Sequence, residues 1–304
     1  TLDHITTAVI NGLKEEFKNF YPNLVIVQGD TTSAMATSLA AFYNKIPIAH
    51  VEAGLRTNNL IEPYPEEANR RIISQIATLH FAPTEFSKMN LERSGVLGKL
   101  FVTGNTVIDA LNLVSQNIRQ TKNILHSVDL KENKIILATI HRRENIGEKL
   151  SNIADGFLKI LEKNKKVYIF LPLHKNKLVR EPLLEKLKRH PRVILSEPLD
   201  YIDFVSILRD CNFVLTDSGG LQEEAPSFNK PVLILRNTTE RPEGLSSGTS
   251  KLIGTNEKDI FKAANELINN NKTYLSMAES ENPFGDGKSS QRILKACKNY
   301  LNNY

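Results

Sequence analysis

The stretch LTDSGGLQEEAP, residues 215 to 226, sets Asp217, Ser218, Gly219 and Gly220 directly after an apolar run and follows them with the adjacent acids Glu223 and Glu224. Small residues that open a helix leave backbone N–H groups pointing at an anion such as a diphosphate. One acid of the pair, on the ligand-facing side, can accept both hydroxyls of a ribose; the competing reading is an acid stabilising the helix dipole. His141-Arg142-Arg143-Glu144-Asn145 follows Ala138-Thr139-Ile140 in the same way. Cationic donors and free N–H groups converge there, so an anion site competes with a merely basic surface turn. His174 ends another apolar run and is the weaker signal, since a lone His is commonly packed or capped.

A second set of residues carries acid–base chemistry. Gly29 permits a tight turn, and Asp30 either caps a helix beginning near Ser33 or faces a ligand. In His50-Val51-Glu52-Ala53-Gly54 the carboxylate of Glu52 stands at a strand tip with no helix to cap. Pro63-Tyr64-Pro65-Glu66-Glu67-Ala68-Asn69-Arg70 opens a helix with two acids at its positive end. A spacing of four puts Glu66 and Arg70 on one face, to pair or to face a ligand together. The charged stretch 236 to 244, which contains Arg241, lacks helical periodicity and reads as a cleft-lining loop.

The elements that position these residues are short apolar runs alternating with helical stretches, the pattern of an α/β protein with parallel sheets. Strands are predicted at 24–27, 47–51, 79–82, 100–103, 134–140, 166–171, 192–195, 212–216 and 231–235. Their unbroken Val/Ile/Leu character implies burial on both faces, and ligands of such sheets bind beyond the carboxyl ends of the strands. A helix from Asn105 to roughly Lys131 fades into a polar stretch, which divides a first domain, 1–105, from a second, 106–287. An amphipathic helix over 288–304 is expected to pack back on the first domain. Only four strands precede the boundary, fewer than such a domain usually carries.

With 304 residues, 40% hydrophobic and 24% charged, the chain reads as an ordinary soluble two-domain protein without a membrane span. The start, Thr1-Leu2-Asp3-His4, has neither a signal peptide nor an initiator Met, and the two cysteines are far apart. A reducing cytoplasm follows as the expectation. The net charge of +5 is dispersed among acids along helices, so no nucleic-acid partner is expected. No clustered Cys/His set implies a metal, and no Gly-x-Gly-x-x-Gly fingerprint implies a nicotinamide.

Seven segments in order, GDTTS (29–33), HVEAGLRT (50–57), PYPEEANRR (63–71), VTGNTVIDAL (102–111), HRREN (141–145), DSGGLQEEAP (217–226) and RNTTERPEG (236–244), resemble the non-hydrolysing UDP-N-acetylglucosamine 2-epimerases over essentially the whole chain. The resemblance implies a GT-B type fold, two Rossmann-like domains with a nucleotide sugar in the cleft between them, and a homodimer. It implies that His141, Ser218, Gly219, Gly220, Glu224 and Arg241 hold UDP, that Phe204 packs the uracil, and that Asp30, Glu52 and Glu66, with Arg70, surround the sugar. Family members begin with a strand and a Gly-Thr-Arg-Pro-Glu loop that has no counterpart here. The first domain is therefore expected to be truncated by about two strand–helix units.

The implied reaction interconverts UDP-GlcNAc and UDP-ManNAc without a cofactor, by elimination of UDP to 2-acetamidoglucal and re-addition, for cell-envelope polysaccharide synthesis. Which carboxylate is the acid and which the base stays open. A hydrolysing epimerase, a GT-B glycosyltransferase and a non-catalytic nucleotide-sugar binding fragment are the alternatives.

Overall fold

Ten short strands, every pair parallel, form two sheets in a computed structural model that describes residues 1–117, 125 and 128–303. The nine predicted strands are all present, with ends within one residue of expectation. The tenth is a three-residue edge strand too short to register as an apolar run. The chain divides into two units, Thr1–Asp109 with Phe284–Tyr304, and Ala110–Pro283.

In the first unit, α1 (Leu2–Asn19), β1 (Val25–Gln28), α2 (Thr32–Tyr43), β2 (Ile48–Val51), α3 (Glu66–Ile76), β3 (Leu79–Ala82), α4 (Glu85–Arg93) and β4 (Lys99–Val102) follow one another, and the sheet order is β1-β2-β3-β4. Every residue of β2 and β3 is buried, as continuous apolar runs require. The helix expected to reach Lys131 appears as α5 (Thr106–Asn117), and most of the remainder lies outside the described residues.

In the second unit the order is β5 (Lys134–Thr139), α6 (Glu148–Lys163), β6 (Val167–Pro172), α7 (Lys177–Leu187), β7 (Val193–Ser196), α8 (Tyr201–Asp210), β8 (Phe213–Thr216), α9 (Gly219–Glu224), β9 (Val232–Ile234), α10 (Pro242–Ser247), β10 (Ser250–Leu252), α11 (Glu257–Asn269) and α12 (Asn271–Ala278). The stretch 236–244 is thus not all loop, because Pro242 starts a short helix, as its fixed φ favours. Its sheet runs β10-β9-β8-β5-β6-β7. The chain leaves β5 toward one edge and β8 toward the other, so the topological switch point falls between them, where open α/β sheets bind ligands.

The last helix, α13 (Ser289–Asn302), belongs to the first unit. Its Ile293, Cys297 and Tyr300, one stripe at helical spacing, pack on Ala49, Val51, Leu79 and Phe81. Burying a side chain of the Ile293 kind contributes about 1.5–3 kcal/mol. The contact covers one face of β2 and β3, and the carboxyl end of β2 carries Glu52.

Candidate functional site

At the switch point of the second unit, Thr139 of β5 lies opposite Thr216 of β8, and their hydroxyls are 2.6 Å apart. Asp217, the next residue after β8, is fully buried. It accepts the backbone N–H groups of His141 and Arg142 at 3.0 Å and the Asn145 amide at 2.9 Å. His141 Nδ1 stands 3.2 Å from Asp217 Oδ1, while about a third of the His141 side chain stays exposed. Burial lowers the pKa of His141, Asp217 opposes that, and Arg142 and His174 add to the lowering. The acid that opens DSGG is thus the anchor of HRREN, a role its own position in the sequence does not reveal.

The cationic residues are less free than their spacing implied. Arg241 donates through Nε to Glu223 at 2.5 Å and through Nη1 to Glu240 at 2.6 Å. Arg236 bonds Glu144 at 2.8 Å and Glu240 at 2.9 Å, and Arg142 lies 3.5 Å from Glu240. Burial pushes the Glu240 carboxyl up, but Arg241, Arg236 and Arg142 together outweigh it and hold it well below the usual carboxylate range. Three guanidiniums and three carboxylates therefore balance, and the charges of stretch 236–244, read from sequence as a cleft-lining loop, join Arg142, Glu144 and Glu223 in a largely buried ionic framework. Gly219 is dictated by this framework, since a Cβ there would lie 2.4 Å from Arg241 Nη1. At Gly220 the nearest atom to that position, outside its chain neighbours and the backbone of α9, is Ser218 Oγ at 4.0 Å, which leaves space over the start of α9.

The two adjacent acids separate cleanly. Glu223 is the partner of Arg241, while among the described residues Glu224 accepts only the Tyr201 hydroxyl of α8, at 3.2 Å. Burial, reinforced by the nearby Glu223 charge and opposed by the Tyr201 bond, pushes the Glu224 carboxyl up to about 7. Three residues beyond Tyr201, Phe204 lines a mostly apolar cavity of about 370 Å³ with Thr139, His141, Leu173, His174 and Leu199. Ser218 is the N-cap of α9 without a side-chain cap bond, and its N–H donates to Thr216 Oγ1 at 2.9 Å.

In the first unit, Asp30 does not cap α2; Thr31 does, accepting from Ala34 N at 3.1 Å. Asp30 is instead bound by Arg70 Nε at 2.7 Å. Arg70 also donates to Glu67 at 3.1 Å, so of the two alternatives left open for Glu66 and Arg70, pairing is not the one that forms. The reason is competition: Glu67 is wholly buried between Arg70 and Arg71, and Arg70 turns toward it and Asp30. Glu66 keeps a buried Oε2 without a hydrogen-bond partner among the described residues.

Glu52 follows β2 with φ +63, a left-handed conformation that costs a non-glycine residue roughly 1–3 kcal/mol. Its Oε2 lies 3.6 Å from where a Cβ on Gly29 would stand, so it reaches the tip of the neighbouring strand β1. His50 braces that tip, donating from Nε2 to the Gly29 carbonyl at 2.8 Å. Sequence reasoning missed His50, Glu67, Tyr201 and Glu240 as supports, since an interior His or an extra Glu carries no spacing signal.

A two-unit α/β protein of GT-B type, with an anion-oriented switch point in one unit and a carboxylate group in the other, is the class that fold and site define. The family model described as UDP-N-acetylglucosamine 2-epimerase matches residues 1–298, and the chain belongs to that family. A Bacillus subtilis UDP-N-acetylglucosamine 2-epimerase is 47% identical over 296 residues, covering 97% of this chain and 77% of the relative. The chain is similar to the Neisseria meningitidis UDP-GlcNAc 2-epimerase solved with UDP-GlcNAc bound (TM-score 0.94, 44% identity, 98% of this chain and 82% of that one). It is likewise similar to the S. aureus MnaA–UDP co-structure (TM-score 0.95, 45% identity, 99% and 82%).

Proposed function

We propose that the chain interconverts UDP-N-acetylglucosamine and UDP-N-acetylmannosamine. The observation that carries the reading is the placement of three acids, Asp30 and Glu52 just beyond the neighbouring strands β1 and β2 and Glu66 at the start of α3, with a buried Glu66 oxygen left unsatisfied. A nucleotide-binding module alone has no need of three such acids.

In this reading the second unit takes UDP. Phe204 stacks on uracil, Glu224 accepts the ribose hydroxyls, and His141 with the N–H groups at Ser218, Gly219 and Gly220 receives the diphosphate. Arg241, tied to two carboxylates, contributes its positive charge and packs against Gly219. The first unit works on the sugar. A carboxylate removes the C2 proton while the C1–O bond breaks and its electron pair leaves with UDP, giving 2-acetamidoglucal. A carboxyl on the other face then returns a proton to C2 as a UDP oxygen re-forms the bond to C1. Asp30, Glu52 and Glu66 are the candidates, and Arg70 fixes Asp30.

Incubation with UDP-GlcNAc in deuterated water tests the proposal. Deuterium at C2 together with UDP-ManNAc supports it; free ManNAc indicates hydrolysis instead, and binding without exchange indicates a non-catalytic module. No helix among the described residues is long and apolar enough to cross a membrane, which fits a cytoplasmic enzyme. A homodimer is the expected assembly, to be checked by sedimentation.

A further inference from the structure

Away from these residues, the loop after β2, the outer face of α3 and the end of α4 enclose a polar cavity of about 300 Å³ lined by Arg56, Asn58, Arg71, Ser74, Asn90 and Arg93. A guanidinium as buried as that of Arg56, with no carboxylate in contact, is costly unless an anion answers it. Glu67, the carboxylate nearest Arg71, is already shared among Arg70, Arg71 and the Thr57 N–H. Among the described residues no carboxylate forms an ion pair with Arg56 or Arg93.

Arg56 is 7% exposed; it donates to the Leu55 carbonyl at 2.8 Å and to Ser74 Oγ at 3.0 Å, and its buried Nε has no partner. Burial draws its pKa down to about 10; the Glu67 charge opposes this, and the Arg71 and Arg70 charges add to it. Arg71 keeps Asn58 at 3.2 Å as its second partner, and Arg93 ends α4 exposed.

We propose that this cavity is a binding site for a phosphate-class oxyanion, distinct from the UDP-oriented cluster of the second unit. Fork-shaped donors from three arginines, with Ser74 and Asn90 beside them, match the geometry of a tetrahedral anion. The volume accommodates a phosphoryl group with a small substituent. The site also has a route to the carboxylate group: Arg71, Glu67, Arg70 and Asp30 are linked in series by contacts of 2.9, 3.1 and 2.7 Å. An anion that competes with Glu67 for Arg71 strengthens the pull of Glu67 on Arg70, and so loosens Arg70 from Asp30.

Calorimetric titration of inorganic phosphate into the full chain saturated with UDP tests the site, and ribose 5-phosphate in a second titration distinguishes a free oxyanion from a phosphomonoester. The expected result is saturable binding of one equivalent, weakened at least about tenfold in Arg93→Glu, which alters only an exposed side chain. UDP affinity and melting temperature stay at wild-type values in that variant. Arg56→Gln is expected to abolish phosphate binding; should it fail to fold, Arg93→Glu decides alone. Absence of saturable binding of either anion, or binding to Arg93→Glu as tight as to wild type, overturns the proposal.

Discussion

His141 Nδ1 and Asp217 Oδ1 stand 3.2 Å apart across the junction of β5 and β8, and the same carboxylate also receives the backbone N–H of His141. Ring and backbone are thus held by one buried acid, which commits Nδ1–H to Asp217 and leaves Nε2 for a ligand. Asp217→Asn presents an amide N–H to a pocket built from donors. The exchange rate at C2 is expected to fall about 10–100-fold, the usual loss when an orienting partner is removed. Solvent-deuterium exchange under substrate saturation checks this, and an unchanged rate would show that His141 needs no such support.

Glu52→Gln keeps the size of the side chain and removes its basicity. Proton exchange at C2 is expected to be lost while UDP affinity stays within about twofold, because no UDP-oriented residue belongs to the first unit. Parallel measurements of deuterium incorporation and UDP binding check it; equal loss of both would remove Glu52 from proton transfer.

The raised Glu224 carboxyl gives a pH dependence with a definite sign. A ribose donates its hydroxyls to the ionised form, so affinity is complete above about 7 and falls as the group takes up a proton. Each pH unit below that point is expected to cost up to about tenfold in the dissociation constant. UDP-GlcNAc is the suitable ligand, since its diphosphodiester does not titrate near neutrality. Glu224→Gln should bind weakly at every pH from 5.5 to 8.5; a variant retaining the wild-type slope would assign it to another group.

Acid sensitivity of the fold is expected from the first unit. His50 and His80 are fully buried neighbours in the β2–β3 register, and burial, the largest cause for both, draws their pKa values down to about 4 from 6.5. The unfolded chain binds protons that the folded one refuses between those values. Stability is therefore fully present above 6.5 and lost as pH falls toward 4, at up to about 1.4 kcal/mol per unit for each ring. Chemical denaturation from pH 7.5 to 4.5 measures the slope, and His80→Gln should roughly halve it.

Strand positions were legible because parallel strands buried on both faces leave dense apolar runs, whereas Ser250-Lys251-Leu252 at a sheet edge leaves none. Residues just beyond those runs marked His141, Glu52 and Asp30 as candidates, since topology brings strand tips together. Partner choice was not legible. Glu223 and Glu224 are equivalent as letters, and only the fold turns one toward Arg241 and the other toward Tyr201. Arg70 likewise had two acids within helical reach and a third on another element, and burial of Glu67 decided among them.

The framework of Arg142, Arg236 and Arg241 with Glu144, Glu223 and Glu240 constrains descent as well as structure. Deleting one of its buried members, Arg236, Arg241, Glu223 or Glu240, strands an opposite charge in the interior, a loss of about 3–5 kcal/mol that few domains tolerate. Viable lineages must change these positions in matched couples, so drift here proceeds by rare double steps. A laboratory library that randomises Arg236 alone should return almost only arginine, whereas one that randomises Arg236, Glu144 and Glu240 together opens neutral solutions that single substitutions never reach.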